Sequence, residues 1–228
     1  MDFKAEEANR RELAVRHSPV MQKVAAWLNR KNITPNQISV MSVVFGLLGF
    51  SAMLANHYWG GDVLLLVTAL CIQCRLLCNL FDGMVAIEGG KKTPAGELFN
   101  DVPDRITDPL FLIAAGFATY LEWGMYLAWA CALVAVLTAY VRVLGTSMGC
   151  KPDFGGPMAK QHRMALLTAG FIILFLQNLT DSFLDAPVNA IDATLIIILL
   201  GSIITFWRRL LTIYKTKENE GSEGENHD

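Results

Sequence analysis

Six apolar stretches constrain this chain more than any other feature. They run from about 36–57, 62–83, 105–121, 123–146, 160–178 and 189–213, with short polar connections between them. A helix needs about 20 mostly apolar residues to cross a bilayer. Five stretches reach roughly that length; the third, which opens on charge, is the shortest. Mean hydropathy of +0.38 and 53% hydrophobic residues in a chain of 228 exceed what an ordinary soluble domain carries. The expected fold is all-α and integral to a membrane, with six transmembrane helices. The first twenty residues are too polar to hold the apolar core of a cleavable signal peptide, so the first span is expected to direct insertion.

The basic residues are segregated. Of 19 Lys and Arg, seven precede the first span, three lie in 84–105, four in 142–163 and four from Arg208 onward. Arg75 is left inside a span. The connections around 57–62, 120–124 and 179–190 contain none. Basic residues collect on the cytoplasmic side, so both termini and the 84–105 connection are expected there, in a multi-pass protein of a bacterial inner membrane. Net charge of −2 adds little, and no nucleic-acid partner is expected. Cys71, Cys74, Cys78, Cys131 and Cys150 fall in or near spans and read as small packing residues.

Residues 1–33 form an amphipathic prelude. Leu13, Val20, Met21, Val24, Ala25 and Leu28 recur roughly at helical spacing among Arg and Lys, which predicts an N-terminal amphipathic helix on the cytoplasmic membrane surface. Ser18 and Pro19 break it into two pieces. Thr34, Pro35 and Asn36 supply an N-cap with Pro at the first helical position. Residues 34–214 make one six-helix membrane domain. Residues 215–228, KTKENEGSEGENHD, are polar and predict a disordered acidic tail.

The chemistry concentrates in 79–104, NLFDGMVAIEGGKKTPAGELFNDVPD. Carboxylates are costly near a bilayer and usually mark function there. Asn79 and Asp82 are three apart at the end of the second span, and Asn100 and Asp104 four apart at the start of the third, so each pair shares a helix face. Two antiparallel neighbours joined by a short loop bring these faces together. The result is an all-oxygen cluster suited to a hard cation, Mg²⁺ or Mn²⁺. Asp101 and Asp108 are further sources of charge; Asp101 is rotated by about 100° from Asn100 and needs a local distortion to take its place. Gly83, Ala86, Gly90 and Gly96 lack bulk and leave room for a ligand against the backbone.

This spacing resembles the CDP-alcohol phosphotransferase family, whose motif is D-x2-D-G-x2-A-R-x8-G-x3-D-x3-D. Asp82, Gly83, Ala86, Gly96 and Asp104 match in register. Asn79, Ile87 and Asn100 stand where the motif has Asp, Arg and Asp. The Thr34–Ser39 run, TPNQIS, is also similar to the start of the family's first helix. The resemblance implies metal ligation by Asp82, with Asn79, Asn100 and Asp101 as further candidates. It implies nucleotide contact at Gly83, Ala86 and Gly96, and Asp104 as the base acting on the acceptor alcohol. Basic residues at the start of the family's fifth helix hold substrate phosphate, which here points to Lys160 and Arg163. Arg75 shares a stripe with Asn79 and Asp82; it either neutralises Asp82, Asp104 or Asp108, or contacts phosphate in place of the Arg missing at Ile87.

The implied activity is transfer of a phosphatidyl group from CDP-diacylglycerol to an alcohol with release of CMP, by an enzyme acting on membrane lipid as a homodimer. The run TPAGELFN is also similar to the GELFD of ethanolamine- and cholinephosphotransferase relatives, so the motif leaves the direction open. The two asparagines raise a second reading, a non-catalytic nucleotide- or lipid-binding relative that assists a partner enzyme. A small transporter is a third. Glycerol 3-phosphate, inositol phosphate, inositol and serine all remain open as acceptors.

Overall fold

A computed structural model describes residues 16, 18–91, 93–180 and 187–225. Among them the chain forms helices α1 (Pro19–Arg30), α2 (Pro35–Trp59), α3 (Val63–Glu88), α4 (Gly96–Gly116), α5 (Gly124–Ser147), α6 (Lys160–Leu179) and α7 (Ala190–Glu225). Thr34 caps α2 with a reciprocal pair of bonds: its Oγ1 accepts from the Gln37 N–H at 3.3 Å, and its own N–H donates to Gln37 Oε1 at 2.9 Å. Pro35 then occupies the first turn, where its missing N–H costs nothing.

Among the described residues five helices, not six, are long and apolar enough to cross a membrane: α2, α3, α5, α6 and the Ala190–Glu220 portion of α7. The expected span at 105–121 falls largely within α4 and fails on composition. The 21 residues of α4 carry Glu97, Asp101, Asp104, Arg105 and Asp108, together with Pro103 and Pro109. Its apolar residues serve the core, where Phe111, Leu112, Ala114 and Ala115 are fully buried. Its Asp101, Asp104 and Asp108 face other helices. The chain is an integral, multi-pass membrane protein in which one polar helix packs among apolar ones.

The separate amphipathic surface helix expected over 1–33 is a second correction. Residues 1–15 and 17 lie outside the described residues. Helix α1 does not stand apart: Met21, Ala25 and Leu28 pack with Ile38 of α2 and Cys78, Leu80, Met84 and Val85 of α3. Met21, Ala25 and Leu28 of the stripe legible in the sequence are thus spent on protein, while Val20 stays exposed. Gly89 permits this approach, since a Cβ there would sit 2.8 Å from Asn29 Oδ1. Lys91 Nζ donates to the Asn29 carbonyl at 3.2 Å and ties the α3–α4 connection to the same helix.

Close packing of α2 sets the position of α4. A Cβ on Gly46 would meet Thr107 Cγ2 at 2.7 Å, and one on Gly49 would meet Phe111 Cε1 at 2.5 Å. Small residues let membrane helices approach in this way. At the opposite end of the bundle, buried Asp192 accepts from the N–H groups of Tyr120 (3.2 Å), Leu121 (3.4 Å) and Asn189 (2.8 Å). It thereby fastens the start of α7 to the α4–α5 turn. Leu47, Leu70, Leu133 and Leu200 are more than half exposed, as a lipid-facing surface requires. Helix α7 continues to Glu225, where the composition predicts disorder from 215; extending a formed helix is far easier than nucleating one. Residues 226–228 lie outside the described residues.

Candidate active site

Three helices converge at one end of the bundle. The spacing of α3 puts Arg75, Asn79 and Asp82 on one stripe. The spacing of α4 puts Asp104, Thr107 and Asp108 on one face. Helix α6 opens with Lys160 and Arg163.

Arg75 is fully buried. Its Nη2 lies 2.7 Å from Asp104 Oδ1 and 2.5 Å from Asp108 Oδ1; the second contact has the distance of an ion pair without the angles of a hydrogen bond. Arg75 Nε donates to Thr107 Oγ1 at 2.9 Å, and that hydroxyl donates to the Pro103 carbonyl at 2.9 Å. Lys160 Nζ reaches across from α6, donating to Asp104 Oδ2 and, at 2.9 Å, to Asn79 Oδ1. Arg163 Nη2 donates to Asp108 Oδ2 at 3.2 Å. Asp104 and Asp108 are thus each held by two cations, which a buried carboxylate requires if it is to stay charged.

Asp82 differs. It is buried, and its Oδ2 accepts from Ser39 Oγ of α2 at 2.8 Å. Among the described ion pairs it has no basic partner, although it feels the charges of Lys160 and Asp104. The remaining candidates are not brought in. Asp101 is turned aside, 3.1 Å from Arg105 and 3.0 Å from Arg142 of α5, as its rotation from Asn100 requires. Asn100 is exposed. Gly83 and Ala86 are half-buried beside Asp82, and a Cβ on Gly96 would meet only Thr93 Oγ1, at 3.7 Å.

The residues fit one divalent cation. Asp82 is a buried carboxylate without a counterion, one helical turn from the Asn79 amide. The four-residue cage read from the sequence is not assembled, and among the described residues no three His, Cys, Asp or Glu side chains converge. A cation held by Asp82 would need water and substrate oxygens to complete its shell, as Mg²⁺ commonly does. Among the described residues Arg75 Nη1 and Arg163 Nε and Nη1 are buried donors without an acceptor, chemistry that an anionic ligand satisfies. A cavity of about 340 Å³ at the same end is lined by Arg142, Lys151, Asp153, Arg209 and Glu220 among others.

Sequence reasoning overlooked Ser39 and Thr107. Ser39 closes the TPNQIS run, and Thr107 lies one helical turn after Asp104, so both had a positional signal. The double role of Asp108 had a weaker one, its spacing of four from Asp104.

Crystal structures of Mycobacterium tuberculosis phosphatidylinositol phosphate synthase (PgsA1) share the fold. The form with CDP-DAG bound is 17% identical with a TM-score of 0.67, over 86% of this chain and 94% of that one. The form in complex with manganese and citrate is 19% identical with a TM-score of 0.66, over 85% and 88%. No curated protein sequence matches the chain. The sequence profile described as CDP-alcohol phosphatidyltransferase matches residues 32–213. With that profile running from before α2 into α7, the chain belongs to the CDP-alcohol phosphatidyltransferase family and is an enzyme of that reaction.

Proposed function

We propose that the chain transfers the phosphatidyl group of CDP-diacylglycerol to an alcohol and releases CMP where α3, α4 and α6 meet. The supporting observation is the convergence of Asp82, Asp104, Lys160 and Arg163 from three helices on one buried polar site. The acceptor oxygen bonds to the phosphatidyl phosphorus, and the bond from that phosphorus to the bridging oxygen of CMP breaks. The acceptor's hydroxyl proton passes to Asp104 Oδ2, while Arg75 on Oδ1 fixes the carboxylate's orientation. Lys160 and the free donors of Arg163 offset charge on the pyrophosphate. Mg²⁺ or Mn²⁺ at Asp82 would add Lewis-acid charge to the pyrophosphate and stabilise the leaving CMP. Gly83, Ala86 and Gly96 leave the nucleotide room. The working unit is proposed to be a homodimer on the family resemblance alone.

The acceptor is proposed to carry phosphate, because the cavity's lining sets Arg142, Lys151 and Arg209 against Asp153 and Glu220. Purified protein with CDP-diacylglycerol, Mg²⁺ or Mn²⁺ and a panel of free and phosphorylated alcohols tests both points. CMP is expected to appear only with an alcohol and a divalent ion present, and fastest with a phosphorylated one. No CMP with any acceptor would sink the reaction, and preference for an unphosphorylated alcohol would sink the acceptor class.

The site is proposed to open to the cytoplasm, on the absence of Lys and Arg from the connections around 57–62, 120–124 and 179–190. A Lys91→Cys variant lacking the native cysteines is expected to resist a membrane-impermeant thiol reagent in intact cells and to react after lysis. Labelling of intact cells would reverse the orientation.

A further inference from the structure

We propose that the Lys160 ammonium is a built-in cation filling the oxygen cage of Asn79 and Asp104 beside Asp82, where it competes with an external divalent ion. The inference rests on the proposed assignment of that ion to Asp82. The oxygens around the ammonium are those a hard cation selects: a carboxylate oxygen and an amide oxygen, with a second carboxylate close by. Asn79 Oδ1 is oriented onto Lys160, and its buried Nδ2 has no partner. The amide is therefore placed to present oxygen to a cation.

The charges of the site also balance. Arg75, Lys160 and Arg163 match Asp82, Asp104 and Asp108. Arg75 and Arg163 are fixed by burial, whereas the Lys160 side chain is 30% exposed. It is the most exposed of the three cations. In the wild type an external ion would be left with Asp82 as its protein ligand, and substrate oxygens would complete its shell.

Mn²⁺ affinity of the purified full-length protein, read from the electron paramagnetic resonance signal of free Mn²⁺, tests this without turnover. Lys160→Gln is expected to bind Mn²⁺ about tenfold or more tightly than wild type, because the cage opens and one repelling charge is gone. Lys160→Arg, which keeps the charge, is expected to stay near wild type. Adding Asp82→Asn to Lys160→Gln is expected to leave residual binding at Asp104, whereas Asp82→Asn alone abolishes it. Lys160→Met takes the place of Lys160→Gln if the latter does not fold. Equal or weaker binding by the neutral variant overturns the inference, as does equal tightening by Lys160→Arg. Wild type that binds no Mn²⁺ beside a Lys160→Gln variant that does would remove the Asp82 assignment and leave Lys160 as the competing cation.

Discussion

Arg75→Met is expected to cost the fold about 3–5 kcal/mol, the range for breaking a buried ion pair from one side. The guanidinium is fully buried and joins Asp104, Asp108 and Thr107. Methionine fills much of the volume but leaves Asp108 with Arg163 alone and Asp104 with Lys160 alone. The loss is thus one of charge compensation and not of packing. Thermal unfolding in detergent reads it as a large drop in the midpoint. Adding Asp108→Asn is expected to restore part of the loss, since it removes one uncompensated carboxylate. A single variant as stable as wild type would mean that water or lipid headgroups neutralise the two acids.

Asp104→Asn is expected to lower kcat by about 10²–10⁴, the usual worth of a general base, with a much smaller effect on the KM for CDP-diacylglycerol. Asparagine still offers an oxygen to Arg75, which limits structural damage, but it takes no proton from the acceptor. Initial rates of CMP release across a range of CDP-diacylglycerol concentrations separate the two effects. A parallel rise in KM would make Asp104 a binding group. Unchanged turnover would move the base to Asp108, the other buried carboxylate of α4.

The sequence showed much of this because period and composition survive burial in a membrane. Five apolar helices, the Thr34 cap and the stripe of Arg75, Asn79 and Asp82 were all legible. What was not legible depended on neighbours far away in sequence. Helix α4 reads as a span because its apolar second half, from Phe111, looks like the others; its buried acids Asp104 and Asp108 are tolerated beside Arg75, Lys160 and Arg163. Helix α1 was assigned to lipid because an apolar stripe does not state what covers it. Asn100 is a ligand candidate by its place in the motif, and Asp101 by its charge in spite of its rotation. Arg142, 41 residues beyond Asp101, draws that acid away, and no local pattern announces it. The engagement of Lys160 with Asn79, 81 residues apart, is hidden in the same way.

The polar character of α4 bears on how the protein is made. A translocating ribosome presents helices to the bilayer in order, and each Asp or Arg near the middle of a span disfavours entry by about 2.5–3.5 kcal/mol. Helix α4 therefore has little claim to the lipid when it first emerges. Arg75 of α3 precedes it and can shield Asp104 and Asp108 at once. Lys160 and Arg163 arrive only after α5 has been synthesised. Helix α4 is held in a provisional state by its predecessor and is completed by a successor two helices later, which makes insertion of this bundle a cooperative event rather than a sum of independent spans.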